Sequence, residues 1–207
     1  MSQDAERVGA DAIMVIVPYY NRPSQEGLLR HFVEVAKSVT VPVVLYNVPA
    51  RTGVDLTAET LARVAESAPN VVAIKEATGN VLRAQQIART LGNRIVVLSG
   101  DDGITLPMIA VGARGVVSVT SNVLPAEVVH ATRLALDGKF EEARRAHLRL
   151  LAVHEAMFVE ASPAPAKAAL EMAGVMKAAV RLPLAPCSEA GRRTVSAALD
   201  AVTRGSR

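Results

Sequence analysis

Five short apolar runs recur along the chain at a regular beat, and that beat constrains the fold more than any other feature. They are "AIMVIVPYY" from Ala12, "VPVVLYNVP" from Val41, "NVVAIKEAT" from Asn70, "RIVVLSGDD" from Arg94 and "GVVSVTSN" from Gly115, with starts 29, 29, 24 and 21 residues apart. Each is rich in Val and Ile, as a strand covered on both faces should be. Helical patterns fill the intervals. Residues 24–37 open on Ser24 as N-cap, 57–67 on Thr57, and 81–91 on Asn80, with Val81, Ala84, Ala88 and Leu91 on one face. Residues 104–111 follow the Asp101–Asp102 pair, which suits the positive end of a helix, and 125–136 carry Pro125 in the first turn.

Strand then helix at this period means parallel strands joined by right-handed crossovers. An open doubly wound sheet and a closed (β/α)8 barrel both satisfy it. No glycine-rich phosphate fingerprint follows any strand, which weighs against a nucleotide-binding sheet. After residue 136 the strand signals stop. Residues 140–160 read as one long helix, "SPAPAKAALEMAGVM" as a second and "SEAGRRTVSAALDAVTRG" as a third, ended by Gly205, with the proline-broken linker "VRLPLAP" between the last two. The expected organisation is an α/β barrel region over 1–136 and a C-terminal three-helix domain over 137–207.

The polar residues share an address. Tyr19 and Tyr20 end the first run, Tyr46 and Asn47 the second, and Lys75 and Glu76 the third; Ser99, Asp101 and Asp102 end the fourth, and Ser118, Thr120 and Asn122 the fifth. Parallel strands bring all these ends to one rim, where barrels and open sheets keep their active sites. Lys75 is the most demanding of them, because lysine is rarely buried. Inside a dry cavity its ammonium loses hydration, its pKa falls, and the neutral amine becomes a nucleophile able to form a Schiff base with a ketone or aldehyde. An ion pair with a neighbouring strand's carboxylate is the other reading of the same position. Alternation puts Ala73 beneath Lys75, and Tyr46 faces inward on the preceding strand, where a phenol can relay protons or simply sit half-buried. Arg51 lies in the rim loop, suited to a substrate carboxylate or to solvent. A second lysine, Lys167, lies in the first turn of a helix and reads as a packing or snorkelling residue.

Bulk properties exclude several partners. Net charge is +3 with scattered basic residues, aromatics are 3% and Trp is absent, which is poor material for gripping nucleic acid. The single Cys187 cannot form an internal disulfide and fits a reducing cytoplasm. The four histidines lack metal-ligand spacing. The sequence has no uninterrupted apolar run of about 18 residues, so no membrane span is expected. The opening "MSQDAERVGADAI" has no signal core and reads as the tail of an amphipathic helix running into a strand.

Taken together, "PYYNRPSQEGLLRHF" at 18–32, "LYNVPARTG" at 45–53, "IKEATGN" at 74–80, "LSGDD" at 98–102, "GVVSVTSN" at 115–122 and "FVEASPAPAKAAL" at 158–170 resemble the dihydrodipicolinate synthase family across essentially the whole chain. The resemblance implies a (β/α)8 TIM barrel with a C-terminal helical domain, built into a dimer of dimers. It implies that Lys75 forms a Schiff base with pyruvate, which then condenses with aspartate 4-semialdehyde in lysine and diaminopimelate biosynthesis, with no metal or organic cofactor. Tyr46 would pass protons, and Tyr20 would reach across a dimer interface into the neighbour's relay. Arg51 would hold the semialdehyde carboxylate. The Val117 carbonyl would lie beside the lysine, with Gly100 and Asp101 also lining the substrate site. The Arg of "YNVPARTG" and the paired Tyr of "PYYNRP" favour the synthase over its pyruvate-lyase relatives, the sugar-acid aldolases and N-acetylneuraminate lyase. The chain departs from the family in one respect. Met1 matches an internal family position, so the first three strands, with a Gly-Thr-Thr-Gly-Glu segment that completes the proton relay, are expected to be missing. That implies low solubility and little turnover for the 207-residue chain alone. A non-catalytic remnant docking onto a full-length paralogue is the reading from another class.

Overall fold

The computed structural model describes residues 1–204 and is α/β with a parallel sheet. The N-terminal unit, Met1–Val117, runs α1 (Ser2–Arg7), β1 (Ile13–Ile16), α2 (Gln25–Lys37), β2 (Val43–Asn47), α3 (Pro49–Thr52), α4 (Ala58–Ser67), β3 (Val71–Glu76), α5 (Val81–Leu91), β4 (Val96–Ser99) and α6 (Thr105–Ala110). The four strands pair in chain order, all parallel, so each crossover moves the chain one place along the sheet.

The expected fifth strand is reduced to a bridge. Val116 pairs with Ser99, the amide of Val117 donates to the Ser99 carbonyl at 2.8 Å, and the chain turns into a 3-10 segment at Thr120–Asn122. Around the bridge the Arg114 amide donates to the Val97 carbonyl at 2.8 Å and the Ser99 amide to the Gly115 carbonyl at 2.8 Å, so the run follows β4 only from Arg114 to Val117 before the turn takes over.

Periodicity decides which sheet face is covered. Val43, Leu45, Ile74 and Val97 alternate on one face and are almost wholly buried. Against that side lie Leu28, Phe32 and Ala36 of α2, Leu61, Val64 and Ala65 of α4, and Ala84 and Ile87 of α5. The buried stripe of α5 is thus turned toward Ile87, while Val81, Ala88 and Leu91 are only half-buried. The opposite sheet face bears Tyr46 and Lys75 and is more open: Met14 is 45% and Val96 39% exposed.

Caps stand where the sequence puts them. Ser24 accepts from the Gly27 amide, Asn80 from Leu82, and Thr57 from Thr60 at 3.2 Å. Thr57 also hydrogen-bonds through its hydroxyl to Gln25 Oε1, tying α4 to the start of α2. Thr57→Ala is expected to cost about 1 kcal/mol, read as a lower urea midpoint at unchanged slope; an unmoved midpoint would mean that the cap contributes nothing.

The second unit, Ser118–Arg207 with residues through Arg204 described, holds α7 (Pro125–Leu136), α8 (Phe140–Ala156), α9 (Ala164–Met172) and α10 (Glu189–Arg204). Here α7 packs on α8, α8 on α10 and α10 on α9, so α7 keeps company with the later helices although the sequence reading counts it with the barrel. His154 of α8 is buried, with Nδ1 2.8 Å from the Thr120 hydroxyl. The expected stop at Gly205 lies outside the described residues. Among the described residues no helix is long and apolar enough to cross a membrane.

Candidate active site

The sheet register builds the site. Tyr46 is the direct partner of Lys75 across β2 and β3, and Lys75 in turn pairs with Leu98 of β4. Side chains directly opposite on one face of a sheet meet, and the Lys75 Nζ sits 4.1 Å from the centroid of the Tyr46 ring. Three influences act on this amine. Burial lowers its pKa and is the largest; the Asp102 carboxylate raises it, and the Arg51 guanidinium lowers it. The ring face also favours the ammonium, yet the net direction is down. Burial likewise pushes the Tyr46 phenol up, against an opposing pull from Arg51.

The carboxylate next in sequence does not pair with the lysine. Glu76 points to the other face, is 1% exposed, and accepts from the Thr78 amide at 2.8 Å and from Asn47 Nδ2 at 3.1 Å. Asn47, fully buried, also donates to Asp55 Oδ1 at 2.7 Å and accepts from the Leu56 amide at 3.1 Å. Arg83 completes the cluster. Its Nη1 is 3.0 Å from Asp55 Oδ2, its Nη2 donates to the Leu56 carbonyl, and its Nε is 3.9 Å from Glu76 Oε2.

Gly100 follows β4 and presses on the lysine. Its amide donates to the Glu76 carbonyl at 2.8 Å, and a Cβ there would lie 2.6 Å from the Ala77 Cβ and 3.2 Å from the Lys75 Cε. Asp101 caps the 3-10 turn Asp102–Ile104: its carboxylate accepts from the Gly103 amide at 2.9 Å, and its carbonyl accepts from the Ser99 and Thr105 hydroxyls. Val117 runs alongside Ser99.

Arg51 rides on α3, the single turn after β2, is exposed, and reaches the site through its charge. That turn ends at Gly53 with φ 75°, where a Cβ would meet the Arg22 Nε at 2.8 Å, so the loops of "PYYNRP" and "YNVPARTG" touch. Tyr20 is not brought to the lysine. It is 94% exposed and held at φ 72°, a conformation that costs a non-glycine residue about 1–2 kcal/mol. Lys167 is engaged elsewhere, with Nζ donating to the Ala179 carbonyl at 2.6 Å.

Two features escaped sequence reading. Asp102, which the sequence places on the rim without a role, is buried and acts electrostatically on Lys75. The Asn47–Glu76 contact carried no signal, because it joins residues 29 apart on the face away from the lysine.

A parallel α/β sheet with a half-buried lysine over a tyrosine at its C-terminal rim defines the class of this chain: an α/β protein with a lysine-centred rim site. The Dihydrodipicolinate synthetase family profile matches residues 1–202, and the chain belongs to that family. The 4-hydroxy-tetrahydrodipicolinate synthase of Sorangium cellulosum is 55% identical over 198 residues, covering 96% of this chain and 66% of that protein. That of Geotalea daltonii is 50% identical over 192 residues, 93% of this chain and 66% of its own length. Among solved structures, the synthase of Methylacidiphilum fumariolicum SolV superposes with TM-score 0.96 at 43% identity over 98% of this chain and 68% of that one. The chloride-inhibited enzyme from Acinetobacter baumannii, complexed with pyruvate, gives 0.95 at 38% over 98% and 69%. The chain therefore spans about two thirds of the length of its curated relatives.

Proposed function

We propose that the chain carries the lysine centre of a 4-hydroxy-tetrahydrodipicolinate synthase, a Schiff-base lyase that condenses pyruvate with aspartate 4-semialdehyde. The observation that carries the proposal is the depressed, half-buried amine of Lys75 over Tyr46. The neutral amine adds to the keto carbon of pyruvate, the carbinolamine loses its hydroxyl as water, and the iminium then draws electrons from the methyl carbon. That carbon gives up a proton and attacks the aldehyde. Tyr46 hands a proton to the departing hydroxyl, a role its contact with Lys75 supports. Arg51 takes the semialdehyde carboxylate, Val117 offers its carbonyl, and Gly100 and Asp101 shape the floor. Tyr20, exposed and strained, serves a neighbouring subunit in a homo-oligomer.

Around this site the proposal places a (β/α)8 barrel with its boundary at residue 136, a C-terminal helical domain and a cytoplasmic setting. The names of the curated relatives favour the synthase over the sugar-acid lyases.

Borohydride reduction with pyruvate tests the reading. Mass spectrometry should find the reduced adduct on Lys75, at a rate that rises with pH to a midpoint below the ordinary lysine range, because burial favours the neutral amine. The same depression makes the folded state less stable while the amine is protonated in both states. Stability should therefore rise with pH from the folded-state pKa toward the unfolded one. An adduct on Lys167, or a midpoint like that of exposed lysines, would overturn the assignment.

A further inference from the structure

We infer that Asn47 and Glu76 are positioning residues, forming a cross-strand tie behind the site that keeps Lys75 seated over Tyr46. The inference rests on the proposed role of Lys75 and adds to it a group that touches no substrate. The register makes Tyr46 partner of Lys75 and, one residue on, Asn47 partner of Glu76. Consecutive strand residues face opposite sides, so the amide–carboxylate contact at 3.1 Å lies directly behind the amine–ring contact at 4.1 Å. Both strand ends are fixed from the same pair: the Asn47 carbonyl accepts from the Ala77 amide at 2.9 Å, and the Glu76 carbonyl from the Gly100 amide at 2.8 Å. The Gly100 contact matters, because that residue abuts the Lys75 Cε.

The tie is built to be stiff. Asn47 uses both its amide nitrogen and its oxygen, on Glu76, Asp55 and the Leu56 backbone. Arg83, 11% exposed, braces Asp55 at 3.0 Å and stands 3.9 Å from Glu76. Asn47 and Glu76, each buried and hydrogen-bonded through both of its polar side-chain atoms, resist displacement, since any shift leaves a donor or acceptor unmade. A carboxylate placed behind an active lysine, on the helix side of the sheet, has no chemistry to perform there; holding the register is the work left to it.

Trace labelling with acetic anhydride, quantified at the Lys75 peptide across pH, reads the tie without relying on turnover. In the full chain, Lys75 should label with a midpoint below the ordinary lysine range. Asn47→Leu, of similar size but without hydrogen bonds, should raise that midpoint by about one unit and slow labelling at neutral pH about tenfold, as the strand ends part and water reaches the amine. Glu76→Gln keeps the shape but offers one acceptor oxygen to the two N–H donors of Thr78 and Asn47, so it should move the midpoint in the same direction by less, slowing labelling at neutral pH about threefold. The inference is overturned if N47L leaves the midpoint unmoved, if E76Q leaves it unmoved, if the wild-type Lys75 midpoint lies in the ordinary lysine range, or if both variants lose their far-UV circular dichroism. Pyruvate trapping in the wild type is scored separately. Failure there with a shifted N47L midpoint removes the proposed reaction and leaves the tie standing.

Discussion

If Lys75 has the proposed role, Lys75→Met is expected to abolish borohydride-trapped pyruvate, since methionine has no amine to form the Schiff base. Methionine matches the length of the lysine stem and leaves the apolar contacts in place, so the fold should hold. Removing a half-buried ammonium should also lift the penalty that the protonated amine imposes at low pH, making the variant at least as stable as wild type below the Lys75 pKa. The control is Lys167→Met. Its amine is held by the Ala179 carbonyl within the C-terminal unit, so trapping on Lys75 should be unchanged. Equal trapping by K75M and wild type would remove Lys75 from the mechanism. The assay needs only mass spectrometry of the adduct and a denaturation curve.

Gly100→Ala should be the most damaging single-methyl change near the rim. The added Cβ would stand 2.6 Å from the Ala77 Cβ, a contact between two atoms fixed to backbone, and 3.2 Å from both the Glu76 carbonyl oxygen and the Lys75 Cε. Relief requires the strand ends to separate, at a cost of about 1–3 kcal/mol. The movement is transmitted to Lys75, and if that amine is the proposed nucleophile a displacement of roughly 1 Å costs on the order of a hundredfold in rate. A lower urea midpoint together with slower trapping on Lys75 is the expected pair of results. The comparison is Gly79→Ala. Gly79 has φ 75° but nothing within 4 Å of its added methyl, so that change strains the loop without touching the lysine. Loss of trapping in G79A as deep as in G100A would show general loosening of the rim rather than steric pressure on the amine.

Much of this was legible before any coordinates. Val- and Ile-rich runs at a steady spacing announce parallel strands, and Ser24, Thr57 and Asn80 announce the starts of α2, α4 and α5, because a short polar side chain ahead of an amphipathic pattern has few other uses. Lys75 and Tyr46 were legible for a related reason: parallel strands carry their ends to one rim, so two polar residues closing apolar runs become neighbours. Other parts depend on information that local patterns do not hold. The run at Gly115 has a strand's composition, yet how far it pairs depends on where β4 ends and where the chain turns, and it shows only a bridge. The turn α3 is too short for a period to declare it. Ile87 rather than Leu91 anchors α5, a choice made by the helices and strand it meets. The Asn47–Glu76 tie depends on register across 29 residues, which no window of sequence encodes.

The pairing of Tyr46 with Lys75 has a practical corollary. The chain has no tryptophan and three tyrosines, of which Tyr19 and Tyr20 are solvent-exposed while Tyr46 lies against the amine. Its ultraviolet emission is therefore unobscured by indole, and subtracting the spectrum of a Tyr46→Phe variant isolates one ring in contact with the Lys75 nitrogen. The molecule carries its own fluorophore, and occupancy of the lysine can be followed in real time without attaching a dye.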